Sequence, residues 1–443
     1  MSSLKFDFAN SRATRPPRAL AVASVDWLLC FTSLCSLLLV EWTYSLGISG
    51  APMMAVLAFL MPTFVIAIIH PSTAFEGVVK NWPLFALPAL ALLSVFWSDY
   101  PQATEKAALE YLVTIVIGTL LASCVQHRVL LSSLLSALAL VTLLGLLFGQ
   151  ISAWNGQLVM LGLSGSKNSF GYTIAQLLLI GFVVAFDRSQ SGTFRSLGFI
   201  SIALAPPLLV FSRSAGALVF SAATICLVLM IMSITRLPPL GRLFIALTII
   251  PCVLIGVICW LLFGNFDELL DYLGKDITLS GRIYIWQQAI ASIEAHPILG
   301  VGYQAFWQVG NWASEVLWEM FGVSGKMGFH FHNLYFQVGV DLGLVGLSVL
   351  AATLLLVAVR AIKVLLHAKL RAQHVFAISQ FIFVLLSSPV EVGLFAPFSL
   401  SSITLCIAFI YLGSSQSSEV LRSQVEPLPD ISPLPERSMV TPR

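Results

Sequence analysis

Residues 129–150 read VLLSSLLSALALVTLLGLLFGQ, a run without a single charge. As an α-helix rising 1.5 Å per residue it would be about 33 Å long. The hydrocarbon core of a bilayer is about 30 Å thick and needs about 20 apolar residues per helix. The rest of the chain repeats this character. Of its 443 residues 58% are apolar and 10% are charged, and the mean hydropathy is +0.92. Length alone would suggest about three soluble domains. Soluble domains, however, carry about 25% charged residues, so charge is too scarce here to clothe them and most of the chain must be solvated by lipid. A secreted disulfide scaffold, a disordered chain and a nucleic-acid binder are excluded. The net charge of +2 hides no basic face, because the 23 Lys and Arg are scattered.

Further candidate spans are 22–43, 51–70, 82–97, 107–125, 170–186, 196–211, 215–234, 243–263, 333–358, 374–389 and 395–413, making twelve with the first. The fold expected is all-α, a polytopic membrane protein. Lys5, Arg12, Arg15 and Arg18 precede an uncharged run with no convincing cleavage site, which reads as a retained signal-anchor. With the N-terminus inside and alternating spans, 17 of the 23 basic residues fall inside. The six outside are Lys106, Lys167, Arg213, Lys275, Arg282 and Lys326, and three of these lie in one long loop, where the positive-inside rule is weak. The organisation expected is a cytoplasmic segment 1–20, spans 21–263, a large outer loop 264–332, spans 333–413 and a Ser/Pro/Glu-rich disordered cytoplasmic tail 414–443. Lys167 and Arg213 lie outside against the charge bias, in short loops beside helix ends.

The seven cysteines form no CxxC and no Cys/His metal spacing, and read as small buried hydrophobes. The long loop carries its own order. Ser280–Ala295 reads as a helix with Ser280 as N-cap, and His296-Pro297 stops it. Trp286, Trp307, Trp312 and Trp318 lie in this loop with Glu294, Glu315 and Glu319. Rings beside carboxylates suit a sugar-binding groove, and equally an aromatic belt at the headgroups. Gly165-Ser166-Lys167-Asn168 looks phosphate-binding, but no glycine precedes Lys167 and no strand is expected before the loop, so it is not a P-loop.

Three outward elements carry the chemistry. Arg213 lies in Ser212-Arg213-Ser214, Arg282 in Ser280-Gly281-Arg282, and His332-Asn333 opens the tenth span. At 100° per residue Gly339, Gly343 and Gly346 all fall within about 40° of His332, a glycine stripe expected to be buried against neighbouring helices. Asp341 falls on the opposite face and is not expected to be a partner of His332. Taken singly, His332 also reads as a helix-start cap, Arg213 as a headgroup anchor and Arg282 as decoration of the loop helix. His296 and His330 read as structural.

Jointly the pieces resemble the O-antigen ligase family. His332-Asn333, nine residues and Gly343-x-x-Gly346 fit its His-(Asn/Ser/Gln)-x9-Gly-x-x-Gly signature. Ser280-Gly281-Arg282 through Trp286, followed by His296-Pro297-Ile298-Leu299-Gly300-Val301-Gly302, looks like the start of its loop, and Ser212-Arg213-Ser214 resembles its arginine loop. Trp97-Ser98-Asp99 and Gly165-Ser166-Lys167-Asn168 look like the exopolysaccharide-polymerase branch. The resemblance implies glycosyl transfer from an undecaprenyl-diphosphate-linked glycan to a glycan acceptor at the periplasmic face of the bacterial inner membrane, without metal, cofactor or nucleotide. It casts His332, Arg213 and Arg282 as catalytic, and Lys167, Asn168, Trp286, Asn333 and Tyr335 as substrate-binding. A chain-length regulator protein is a further expected partner. A polymerase extending lipid-linked repeats is the leading expectation. A ligase acting on lipid A core or protein, a transporter or flippase, and a scaffold for other glycan enzymes are the alternatives.

Overall fold

The computed structural model describes residues 17–45, 51–154, 157–238, 241, 281–323, 325–326, 329–367 and 370–424. The span expected at 243–263, most of the loop up to Ser280, and residues 1–16 and 425–443 lie outside them. The chain is mainly helical. Its helices are α1 (Pro17–Ser45), α2 (Ala51–Ile69), α3 (Pro71–Lys80), α4 (Ala86–Leu93), α5 (Pro101–Cys124), α6 (His127–Phe148), α7 (Lys167–Phe186), α8 (Gly192–Ser212), α9 (Ala215–Ile234), α10 (Arg282–Ala295), α11 (Trp312–Met320), α12 (Leu334–His367), α13 (Ala372–Ser387) and α14 (Leu400–Gln424).

Among the described residues seven helices are long and apolar enough to cross a membrane, and the α2–α3 pair, bent by 107°, makes up to eight. The twelve expected spans are therefore not all matched by full-length helices. The third expected span is a chain of short helical pieces over Trp82–Phe96, and α13 is also shorter than a full span. Helix α14 runs to Gln424, past the tail boundary placed at 414. The bend after α2 has a local cause: Pro71 starts α3, and the His70 imidazole meets the Asp26 carboxylate at 3.4 Å. Large apolar side chains face outward along the spans, with Phe96 88% and Ile68 76% exposed. In water such a surface would aggregate; lipid is the solvent it fits. Helix α7 is the most enclosed of the spans.

A second difference from expectation is an antiparallel hairpin, β1 (Gln150–Trp154) and β2 (Gln157–Gly162), just before α7. A strand does precede the Gly165–Asn168 loop, against expectation. It belongs to an isolated hairpin rather than a βαβ unit, so the loop is still not a P-loop. Among the described cysteines Cys30, Cys35 and Cys406 are buried, whereas Cys226 is exposed on α9.

The glycine stripe is the main correction. Helix α12 is broken at Gly343, whose φ is 61° and ψ −157°. There the loop after α10 docks onto the break. Val301 and Gly302 donate to the carbonyls of Val340 and Asp341, and Leu344 and Val345 donate to those of Pro297 and Ile298. A Cβ on Gly343 would lie 2.4 Å from the Ile298 carbonyl, and one on Gly339 would lie 2.8 Å from Ile293 of α10. Gly343 thus admits the loop and Gly339 admits the neighbouring helix α10, whereas a Cβ on Gly346 would meet Leu342 and Val338 of its own helix. Around this junction Ile285, Phe306, Trp307, Leu317, Trp318, Phe331 and Val340 form a separate small core.

Several hydrogen bonds join segments far apart in the chain. Arg128 Nη1 donates to Ser189 O at 3.3 Å, linking two segments expected inside. Trp97 Nε1 donates to Leu299 O at 3.0 Å and the Tyr303 hydroxyl to Phe395 O at 2.8 Å, linking segments expected outside.

Replacing Gly343 by alanine forces a Cβ into docked backbone at a positive φ, a conformation that costs a non-glycine residue about 1–3 kcal/mol. Thermal unfolding in detergent should start at a clearly lower temperature for Gly343→Ala. Gly192→Ala, where a Cβ meets nothing within 4 Å, should unfold like the wild type. Equal midpoints for all three proteins would contradict this account of the break.

Candidate functional site

Three of the segments singled out in the sequence end up at helix N-termini. Lys167 is the first residue of α7, Arg282 is the first residue of α10, and His332 lies just before α12, whereas Arg213 caps the C-terminus of α8, one residue ahead of the N-cap of α9. The N-terminus of a helix carries about half a positive charge and unpaired N–H groups, a setting that favours anions.

Arg282 and His332 come together. Arg282 Nη1 donates to Val390 O at 3.2 Å, which holds the guanidinium at the turn after α13. Leu334 N donates to Ser388 O at 2.8 Å and ties the start of α12 to the same turn. His332 N donates to His330 Nδ1 at 3.0 Å, and the two rings lie 4.1 Å apart between centroids. Glu391 completes the group: the ligand atoms of His330, His332 and Glu391 all lie within 4.8 Å of one another. Two imidazoles and a carboxylate at this spacing could hold a metal ion. The Arg282 charge close by acts against a divalent cation there. Burial works against the Arg282 guanidinium and lowers its proton affinity below that of an ordinary arginine, while Glu391 works the other way. Burial first, then the Arg282 charge, push His330 down to about 4. His330 is therefore a neutral ring at ordinary pH.

A second cation approaches from α7. Lys167 lies within electrostatic reach of Arg282. Ser166 caps α7, its hydroxyl accepting from Ser169 N at 3.4 Å. The arginine loop is fastened to this helix start, where the Ser214 hydroxyl donates to Asn168 Oδ1 at 3.3 Å and Gly171 leaves room for Ser214. Arg213 itself is exposed, with its backbone in the left-handed region at φ 50°. His332 has the same φ of 50°. Non-glycine residues avoid this region, and such strain concentrates at functional sites.

The remaining candidates divide by their contacts. Asn333 Oδ1 accepts from Tyr335 N at 2.9 Å and Phe336 N at 3.1 Å, capping α12. Trp286 Nε1 donates to Phe331 O at 2.8 Å, fixing the residue before His332. Tyr335 stays 39% exposed. Asp341, as expected, is not a partner of His332: its Oδ2 accepts from Gln304 N and from Gln337 Nε2, both at 3.1 Å.

Sequence reasoning missed His330, Glu391 and Tyr172. The Tyr172 hydroxyl is buried, with no hydrogen-bond partner among the described residues, and lies within electrostatic reach of Arg282 and Glu391. The His-x-His pattern was a readable signal for His330. Glu391 is the one charge between the last two apolar runs, and its placement beside His332 needs the fold.

Residues 200–351 match the family model described as O-antigen ligase. The exopolysaccharide production protein ExoQ of Rhizobium meliloti (strain 1021) is 33% identical over 275 residues, which cover 61% of this chain and 63% of that protein. The matched family region holds Arg213, Arg282, His332 and the Gly343 break, with Lys167 and Glu391 on either side of it. Residues 200–351 thus carry a likeness to the O-antigen ligase model, and the chain spans less than two thirds of the length of the exopolysaccharide production protein it matches.

Proposed function

We propose that the chain is a membrane glycosyltransferase of the bacterial inner membrane that polymerises undecaprenyl-diphosphate-linked oligosaccharide repeats into surface polysaccharide at the periplasmic face, with both termini cytoplasmic. The observation that carries this reading is the meeting of Arg282 with the His330–His332–Glu391 group at a cluster of helix N-termini. Such a site favours a diphosphate and also offers a base. The likeness to an exopolysaccharide production protein supports polymerisation over transfer to lipid A core. A transporter should carry ionisable groups near mid-membrane, and the site's charges stand instead at helix starts.

In the proposed reaction an acceptor sugar hydroxyl attacks the anomeric carbon of the donor. The new carbon–oxygen bond forms as the bond to the diphosphate oxygen breaks. The hydroxyl proton passes to His332, and the electron pair leaves with the lipid diphosphate. Arg282, Arg213 and Lys167 stabilise that developing negative charge, for which arginine's planar fork is suited. The bond energy is already stored in the diphosphate linkage, so no nucleotide is consumed. Glu391 stabilises the imidazolium that forms. Trp286, Asn168 and Asn333 hold the reacting groups in place, and Tyr335 borders the substrate. Direct displacement inverts the anomeric centre. Successive rounds elongate a lipid-linked chain, with a chain-length regulator protein as the partner that limits it.

The test is reconstitution in liposomes with a lipid-diphosphate oligosaccharide and no other acceptor. Ladders of longer chains are expected, and they should persist in EDTA. Transfer only after adding lipid A core would make the chain a ligase, and loss of activity on chelation would turn the His330, His332 and Glu391 group into a metal site. His332→Ala should lower turnover by about 10²- to 10⁴-fold, the contribution of a positioned base. Arg282→Ala should lower it by about 10²- to 10³-fold, and Arg282→Lys should recover little of this, since an ammonium lacks the bidentate fork. Wild-type turnover in a well-inserted His332→Ala protein would remove its role as base.

His330 also sets a pH dependence. Its ring binds a proton in the unfolded chain near the ordinary 6.5 but in the folded one only near 4. Unfolding therefore takes up a proton between those values, and the stability His330 contributes above pH 6.5 is lost as pH falls towards 4. Thermal midpoints in detergent should decline over this window, and His330→Asn should flatten the decline. An unchanged slope in the variant would show that His330 is not the group responsible.

A further inference from the structure

The four loop tryptophans do different things in the fold. Trp307 and Trp318 are buried in the small core, and Trp286 is tied to Phe331. Trp312 is 75% exposed at the first turn of α11. It borders a cavity of about 560 Å³ between α10, the start of α11 and the turn that follows Trp97-Ser98. That volume lies in the range of small-molecule sites. Asp99 and Tyr100 also line the cavity, with Gln288 and Ser292 of α10 and His296 at its C-terminal end. Asp99 is exposed and has no hydrogen-bond or ion-pair partner among the described residues. The Tyr100 hydroxyl reaches towards Gly310.

We propose that this cleft is a saccharide subsite, which holds pyranose units of the glycan away from the reacting centre. A pyranose has an apolar face of C–H groups and an edge of hydroxyls. The exposed indole of Trp312 matches the face. The Asp99 carboxylate and the amide and hydroxyl of Gln288 and Ser292 match the edge. A lipid tail would leave those polar groups without partners, and a headgroup anchor would need no cavity. The position suits a chain rather than a single sugar. Gln288, Ser292 and Ala295 follow Arg282 on the same helix, so their backbone lies about 9, 15 and 20 Å along the axis from that of Arg282, at 1.5 Å per residue. A glycan whose reacting end lies at His332 would therefore lay its next units along α10. The cleft is fixed to the site by the same backbone that docks on the α12 break, through the bond from Trp97 to Leu299.

The inference rests on the glycosyltransferase reading, and the experiment separates the two. Full-length protein in nanodiscs is titrated with lipid-free oligosaccharides released from the surface polysaccharide of its own source. Wild type and His332→Ala should bind them equally, because the subsite lies apart from the base. Trp312→Ala should bind about tenfold more weakly or worse, the loss expected when an aromatic anchor is removed. Asp99→Asn, an isosteric change on an exposed turn, should weaken binding without altering thermal stability. The same variants are assayed for one round of transfer with a short lipid-diphosphate donor, which should survive Trp312→Ala. No binding by wild type, or equal affinity in wild type, Trp312→Ala and Asp99→Asn, would overturn the subsite while leaving the catalytic reading standing. Trp312-dependent binding with no transfer by any protein would leave the subsite standing and sink the catalytic reading.

Discussion

A helix broken inside a membrane protein leaves backbone N–H and carbonyl groups that lipid cannot satisfy. At Gly343 the chain solves this with its own loop: residues 297–302 make four backbone hydrogen bonds to residues 340–345. Only a residue without a Cβ allows that approach, since the Ile298 carbonyl occupies the space. The junction sets α10 against α12 and thereby places Arg282 near His332. It also carries the Trp97 contact and the cleft beside Trp312. A local rule about one glycine thus governs the geometry of the whole site.

The electrostatics follow from the same layout. Lys167 and Arg282 each stand at the start of a helix, so their charges add to the positive ends of the backbone dipoles. Like charges gathered in this way repel one another and are costly to bury. Burial opposes the proton on both Arg282 and His330. Glu391 relieves part of that cost at Arg282. A lipid diphosphate would relieve more, which is why this strained arrangement suits a substrate of that charge.

The membrane character and most of the apolar runs were legible in the sequence, because a run such as 129–150 has no other solvent. Where a run was interrupted, legibility failed. Pro71 turns α3 through 107° after α2 rather than ending in a loop, and the hairpin at 150–162 has no alternation strong enough to announce itself. The glycines after His332 were read as one helical face, but the periodicity assumed an unbroken helix, and Gly343 breaks it. Of the candidate site, Arg282 and His332 were picked out by the resemblance of their motifs to the O-antigen ligase family. Arg213 was legible as an exception to the charge bias, and its loop does reach α7 through Asn168. His330 and Glu391 were not legible as members, because their part depends on the turn after α13 folding back onto the start of α12. The tryptophans looked alike in composition, and only burial separates Trp307 and Trp318 from Trp312.

The most direct measurement is an experimental structure of the protein in nanodiscs with a lipid-diphosphate oligosaccharide bound. The account predicts the diphosphate between Arg282, Arg213 and Lys167, the anomeric carbon facing the His332 imidazole, and Glu391 behind that ring. A diphosphate held at the opposite end of the bundle, or bound at this end with His332 tens of ångströms from the anomeric carbon, would contradict it.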